Sequence, residues 1–186
     1  DDIGDDLELD DDDMLDTFSD DDDLSWRVRR AASRLLGTLF EENPQEMVPS
    51  ASRVTAALVE RLKEREETVR LEALGALKSV LIAAPEAFRS HTSIVEALCT
   101  WRGAAAQVAA LDALEKFVSS FGMALSQGEN ALNLALCAVE DETKTHSKGR
   151  CIAGLALLRQ LCVCVPTVVL PHAVRVTTAL AESSQL

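Results

Sequence analysis

The chain of 186 residues is 47% hydrophobic and 26% charged, carries a net charge of −13, and has only 4% aromatic residues. This length corresponds to one domain or to four or five units of a helical repeat, with enough apolar material for a sizeable core. The scarcity of aromatic residues argues against carbohydrate binding and single-stranded nucleic-acid binding, because both use aromatic stacking. The sequence contains no apolar run of membrane-spanning length and no recognisable secretory signal.

The negative charge is concentrated at the start of the chain. Residues 1–23 contain thirteen Asp and one Glu without Lys or Arg, whereas residues 24–186 contain seventeen acidic and eighteen basic residues. Such dense like charge favours disorder, so we predict an acidic disordered segment over 1–23 and a folded body over 24–186. The segment is either a solvated spacer or an arm that touches a basic partner. The nearly neutral body argues against nucleic-acid binding, which requires a clustered basic face.

The body repeats with a period near 40 residues. Residues 28–32 match residues 69–73 at an offset of 41, and the same apolar pattern returns at about 109–117 and 150–157. Prolines keep the same spacing, since Pro44, Pro85 and Pro166 each follow the end of one of these segments. A period near 40 with two helices per unit is typical of HEAT or armadillo arrays. The predicted fold class is therefore an all-α HEAT-repeat α-solenoid of antiparallel helix pairs, with about four units and a truncated fifth.

Helical periodicity places the elements in chain order. The first unit contributes only its second helix, which starts near Ser25 as a candidate N-cap. The predicted helices of the later units lie at about 52–64, 68–83, 94–98, 108–121, 132–139, 152–161 and 171–181. A small residue recurs where the second helix of each unit should approach its neighbours, and we expect these positions to be buried: Ala32, Ala73, Ala113 and Ala153. The missing partner of the last helix and the first residue, which is not Met, suggest a piece of a longer protein.

Aligned arginines form a second repeated feature. Arg29, Arg70 and Arg150 fit a ladder that bonds acidic groups or backbone in the turns, although plain surface charge is the alternative. The third unit has alanines at 109 and 110 instead of this pattern, so we expect a weaker ladder there. Outward-facing basic residues on the second helices are the candidate partner-binding set, with solvated surface charge as the alternative: Arg27, Arg30, Arg34 and Lys78.

No constellation for catalysis or cofactor binding is recognised. The three histidines are far apart in sequence, no glycine-rich phosphate-binding loop occurs, and Cys162 and Cys164 are two apart, which points them in different directions on a helix. The five cysteines lack a paired metal-ligand spacing and favour free, mostly buried thiols in a reducing compartment. We therefore predict a protein that is not an enzyme, with no catalytic residues, no metal, no cofactor and no small-molecule substrate.

Two stretches resemble a known family. Residues 18–32, which read FSDDDDLSWRVRRAA, resemble the junction of an acidic insertion with a Ser-Trp-Lys/Arg-Val-Arg-Arg-Ala-Ala helix in the cullin-associated neddylation-dissociated (CAND) proteins. Residues 62–69, LKEREETV, are similar to a turn of the same family at a similar distance downstream. Beyond these stretches the match is mainly one of period and hydrophobic pattern.

This resemblance implies a non-enzymatic scaffold. CAND proteins are HEAT-repeat solenoids that wrap around an unneddylated cullin and its RING subunit and exchange the substrate receptors of the ligase, and the resemblance implies a cytoplasmic and nuclear location. This chain would then be a middle stretch that sets the span of the array. A different HEAT scaffold, of the nuclear-transport receptor or phosphatase type, would share the period, and an enzyme would need a site from outside this chain.

Overall fold

The computed structural model describes residues 24–88, 93–121, 128–140 and 148–183. Regular structure in these ranges is entirely helical, without a strand. The predicted all-α, HEAT-type repeat is therefore confirmed. The predicted acidic segment 1–23 lies outside the described residues, so the boundary between it and the body stays a prediction.

Eight α-helices of seven or more residues are present in the described ranges. They are α1 (Ser25–Glu42), α2 (Ala51–Arg61), α3 (Glu67–Ala83), α4 (Ser93–Cys99), α5 (Ala104–Phe121), α6 (Gly128–Glu140), α7 (Lys148–Cys164) and α8 (Ala173–Ser183). Short helical turns follow α1, α3 and α7, over Pro44–Met47 and Val48–Ser50, Pro85–Phe88, and Pro166–Val169 and Leu170–His172.

Prolines end three of the helices in the same way. Asn43, Ala84 and Val165 each precede a proline and leave the helical conformation, with φ and ψ of −132° and 55°, −147° and 68°, and −136° and 53°. Each still donates its backbone N–H to the carbonyl four residues earlier, at 2.9, 2.7 and 2.8 Å. The residue before a proline disfavours the α conformation, so the chain turns at the same place in three units. The repeated proline spacing therefore marks real helix ends.

The helices form two layers. In one layer, α1 packs along α3, α3 touches α5, and α5 packs along α7; in the other, α4 touches α6 and α6 touches α8. Within each unit the layers meet as the pairs α2–α3, α4–α5 and α6–α7. α3, α5, α6 and α7 thus pack both against a neighbouring helix of their own layer and against a partner helix, as expected for a stacked repeat.

Three of the four aligned alanines are buried as predicted. Ala73 and Ala113 are 0% exposed and Ala153 is 5% exposed, whereas Ala32 is exposed and the prediction is wrong there. In the described part of the chain, α3 is the main helix that packs on α1, so one face of α1 is covered. That face carries Ser33, Gly37 and Phe40. Two apolar residues of α1, Val28 and Leu35, are consequently 71% and 59% exposed.

The seam between α3 and α5 differs from its neighbours. The contact of α3 with α5 is much shorter than that of α3 with α1 or of α5 with α7. An aromatic cluster joins the end of α3 to α5: the ring of Phe88, in the short turn after α3, lies 5.3 Å from that of Phe117 and 6.2 Å from that of Phe121. Large rings thus lie at this contact, whereas small residues allow close approach of the helices at the neighbouring contacts.

No single helix in the described ranges is long and apolar enough to cross a membrane. By length and composition α7 and the segment Pro166–Ser183 reach that threshold together, but they are bent by 112° at their junction. α7 packs against both α5 and α6, which uses much of its apolar surface inside the array.

We expect Ala73→Leu to lower the free energy of unfolding by about 1–3 kcal/mol, because the larger side chain overpacks a fully buried position. Ala32→Leu is the matched control, since Ala32 occupies the aligned position but is exposed, and its change should stay within about 0.5 kcal/mol. Urea denaturation followed by circular dichroism measures both. Equal losses for the two variants would contradict the packing described here.

Two glycines should respond in opposite directions to alanine. At Gly75 a Cβ atom would meet no heavy atom within 4 Å, so Gly75→Ala should stabilise the helix by about 0.5–1 kcal/mol. At Gly37 the new Cβ would lie 3.1 Å from the Cα of Ala76, and Gly37→Ala should destabilise by about 1–3 kcal/mol because backbone must move. Thermal melting of both variants checks the sign, and a stabilised Gly37→Ala would contradict the close approach.

Candidate partner-binding surface

The structure places three of the predicted partner-binding residues on one helix. Arg27, Arg30 and Arg34 are all exposed on α1, where their spacing of three and four residues puts them on one face. The guanidinium of Arg27 lies 5.4 Å from the ring centre of Trp26. The fourth residue, Lys78, is half-buried on α3. Their role as a contact set stays a prediction.

One member of this set also joins two helices. Arg30 Nε lies 3.3 Å from Glu72 Oε1, so its charge is paired across the α1–α3 contact. A second polar link crosses the same contact, since the hydroxyl of Ser79 donates to Glu41 Oε1 at 2.7 Å. An exposed ion pair contributes only about 0.2–1 kcal/mol, so a partner carboxylate can replace Glu72 at little cost.

The predicted arginine ladder is present at the turn between α2 and α3. Arg70 Nη1 donates to the backbone carbonyls of Glu64 and Arg65, at 2.9 and 3.1 Å. The carboxylate of Glu64 accepts from Arg61 and lies 3.1 Å from Arg29 Nε. The ladder arginines thus bond both backbone and an acidic group in the turn, as predicted, and they fix the turn to α1 on one side and to α3 on the other.

The third unit continues the ladder through different side chains. Trp101 is 4% exposed and donates its indole N–H to the Leu62 carbonyl at 3.3 Å, and its ring lies 5.6 Å from the Arg70 guanidinium. Gln107 then donates to the Trp101 carbonyl at 3.4 Å and accepts from Arg150 Nη1 at 2.8 Å. The aligned positions of this unit carry alanines instead of an arginine. Alignment of the repeats therefore did not identify Gln107 as the neutral side chain that takes the arginine's place.

A cavity of about 230 Å³ opens between the turns of the second and third units. We call it the turn pocket; it is lined by Leu62, Lys63, Glu64, Arg70, Thr100, Trp101 and Arg102. Three of these side chains are cationic and one is a carboxylate. The buried Trp101 side chain therefore forms part of the wall of a basic pocket.

The cysteines are free thiols in varied surroundings. Burial raises the pKa of Cys99 from 9.0 to about 11, which makes its thiolate scarce at neutral pH. Cys151 is buried and Cys164 half-buried, but Cys137 and Cys162 are exposed, so the prediction of mostly buried thiols is only partly right. In the described ranges no group of three or more His, Cys, Asp or Glu is placed to hold a metal ion.

Comparison with curated proteins shows which proteins this chain is similar to. The chain is 42% identical over 59 residues to "Cullin-associated NEDD8-dissociated protein 2" of Mus musculus, which is 32% of this chain and 5% of the relative. It is 41% identical over 83 residues to "Cullin-associated NEDD8-dissociated protein 1" of Drosophila melanogaster, 43% of this chain and 7% of the relative. The resemblance to the CAND family is confirmed.

The CAND similarity covers part of the chain and a small part of each relative. The protein of Dictyostelium discoideum named "Cullin-associated NEDD8-dissociated protein 1" is 42% identical over 55 residues, 30% of this chain and 4% of the relative. The matched stretches thus span at most 7% of the length of these three CAND relatives. No protein-family model matches the chain.

Removing the central arginine of the ladder should destabilise the array. Arg70→Ala leaves the Glu64 and Arg65 carbonyls without their donor and removes the cation above Trp101, so we expect a loss of about 1–3 kcal/mol. Arg159→Ala, at an exposed position of α7, should change the free energy of unfolding by less than about 0.5 kcal/mol. Urea denaturation compares the two, and equally small effects would show that the ladder is not structural.

Proposed function

We propose that this chain is a segment of a non-enzymatic HEAT-repeat scaffold that binds unneddylated cullin-RING ligase cores and promotes exchange of their substrate-receptor modules. The observation that carries the proposal is the identity of 41–42% with proteins named for association with cullins. The all-helical repeat supports it, since stacked helix pairs build extended surfaces for protein partners. We infer from the same similarity that cullin and its RING subunit are the partners and that the protein acts in the cytoplasm and nucleus.

The polar links between units support a mainly geometric contribution. Arg29, Glu64 and Arg70 tie α1 to the turn before α3, and Arg175 on α8 bonds Glu140 of α6 through Nε and Nη2 at 2.7 and 2.8 Å. Paired contacts of this kind fix the angle between guanidinium and carboxylate and so restrict how neighbouring units rotate. An array held in this way would set the span over which the rest of the scaffold meets its partner.

Direct contact is assigned to the basic face of α1. Arg27, Arg30 and Arg34 are exposed, lie on one helical face and stand next to the edge of the array that has no described helix packed on it. Positive charge arranged in this way raises the association rate with an acidic surface and is sensitive to salt. An acidic patch on cullin is the partner surface that fits this chemistry.

Replacing Arg27, Arg30 and Arg34 together with Gln tests this assignment. We expect binding of the chain to a purified unneddylated cullin–RING complex to weaken about fivefold or more at 50 mM salt, with a smaller difference at 300 mM. The melting temperature should change little, because within the described residues Arg30 alone of the three has an ion pair to another helix. The Lys116→Gln, Arg159→Gln variant, which removes two exposed cations on α5 and α7, is the control and should bind like the original chain.

Surface plasmon resonance at the two salt concentrations provides the measurement. Unchanged affinity of the triple variant at low salt would reduce this stretch to a spacer. Absence of binding by the original chain to any cullin–RING complex, together with recovery of a transport cargo or a phosphatase subunit by the same chain, would replace the cullin proposal with another kind of HEAT scaffold.

A further inference from the structure

The turn pocket has an excess of positive charge that its own carboxylate does not offset. Glu64 is already shared by Arg29 at 3.1 Å and by Arg61. The remaining ionic groups of the wall are Lys63, Arg70 and Arg102. Lys63 forms an exposed ion pair with Glu60 at 3.2 Å. Such a pair is weak, so another carboxylate can replace Glu60. The pocket therefore presents cations to any anion that enters it.

Arg70 makes the most contacts within the protein of these three cations. Its Nη1 donates to two neutral carbonyls, and within the described residues its buried Nε has no hydrogen-bond partner. Its guanidinium also lies over the indole of Trp101, which is itself almost fully buried. A cation held in a partly dry site with no neutralising carboxylate interacts more strongly with an incoming anion than a solvated one does. Arg102, at the exposed rim, has Nη1 3.3 Å from the Trp101 carbonyl and extends the basic wall outward.

The chain contains its own concentrated source of carboxylates. Residues 1–23 carry a charge of −14 and are tethered directly to the start of α1. That start is close to the pocket wall, because Arg29 donates to Ser25 Oγ at 2.5 Å and forms an ion pair with Glu64, whose Oε1 lies 3.1 Å from Arg29 Nε. Covalent attachment makes binding of these carboxylates intramolecular, at an effective concentration set by the length of the connection. We propose that the turn pocket binds a carboxylate of the chain's own acidic segment, residues 1–23.

The contact is electrostatic and local. A carboxylate at the pocket mouth meets Arg102 and Lys63 first and Arg70 behind them, with the Trp101 ring as an apolar wall. Several aspartates can exchange in the same place, because the segment holds thirteen of them and the pocket requires only one. Acidic peptides of a partner would have to displace this intramolecular occupant. The inference stands independently of cullin binding.

Zero-length cross-linking with a carbodiimide tests the proposal on the full chain. The reagent joins a Lys amine to a carboxylate in contact with it, and mass spectrometry identifies the linked peptides. We expect Lys63 to link to residues 1–23 in greater yield than Lys78 or Lys116, with a yield that does not fall on dilution. Arg102→Gln should lower the Lys63 yield about threefold or more, and 0.5 M NaCl should do the same, because both weaken the attraction.

Arg159→Gln is the matched control, since it removes one exposed arginine far from the pocket in sequence, on α7, and should leave the yield unchanged. Circular dichroism confirms that Arg102→Gln is folded, which we expect because Arg102 is exposed. Equal yields for the two variants would overturn the proposal, since proximity of the tether alone would then explain the links. A yield that falls with dilution would also overturn it, because the carboxylate would come from another molecule.

Discussion

The backbone contact between α1 and α3 is the constraint on which the first half of the array depends. A helix can lie this close to its neighbour only where a side chain is absent, and a Cβ on Gly37 would come within 3.1 Å of the Ala76 Cα. The same device recurs between the layers, where a Cβ on Gly154 would lie 3.0 Å from the Ala135 carbonyl oxygen and the Ala138 Cβ. Dispersion and apolar burial both increase as the axes approach, so small residues at the crossing points stabilise the stack.

Among the described residues, the seam between α3 and α5 lacks such a close backbone contact, and its packing differs for that reason. Between α3 and α5 the contact is short, and the rings of Phe88, Phe117 and Phe121 fill one part of the seam. Trp101 stands between the turns of the same two units, where Arg70 packs against its ring. The turn pocket lies where these large groups leave space between the two turns. Tight packing at the neighbouring contacts and looser packing in the middle are thus two results of one distribution of small and large residues.

Much of the fold could be predicted because the repeat imposes the same physics in every unit. The proline spacing located the helix ends, and burial of Ala73, Ala113 and Ala153 followed from their equivalent positions. The burial prediction was wrong for Ala32, because a repeat position is buried only when helices pack on both sides of it. α1 has one covered face. Ser25 similarly lies inside the first turn and accepts from Arg29 instead of capping the helix.

The site was less predictable because its parts do not repeat. Arg70 could be found from its alignment with Arg29, but the partners that give it a role, Trp101 and two backbone carbonyls, belong to different turns. Gln107 has no counterpart among the aligned arginines, and only the distances to Trp101 and Arg150 reveal it. A pocket formed between successive turns is a property of how units stack, which a period in the sequence does not specify.

The two proposed contacts lie within the first three units of the array, and electrostatics couples them. The basic face of α1 and the turn pocket are joined through Arg29, which bonds Ser25 on one side and faces Glu64 on the other. A segment of charge −14 held at this end repels an acidic partner until the partner's own contacts offset that repulsion. Because charges separated by more than about 10 Å are screened at ordinary ionic strength, only carboxylates held close to α1 exert this effect. Retention of the acidic segment in the turn pocket would therefore make binding at Arg27, Arg30 and Arg34 more selective than the exposed arginines alone allow.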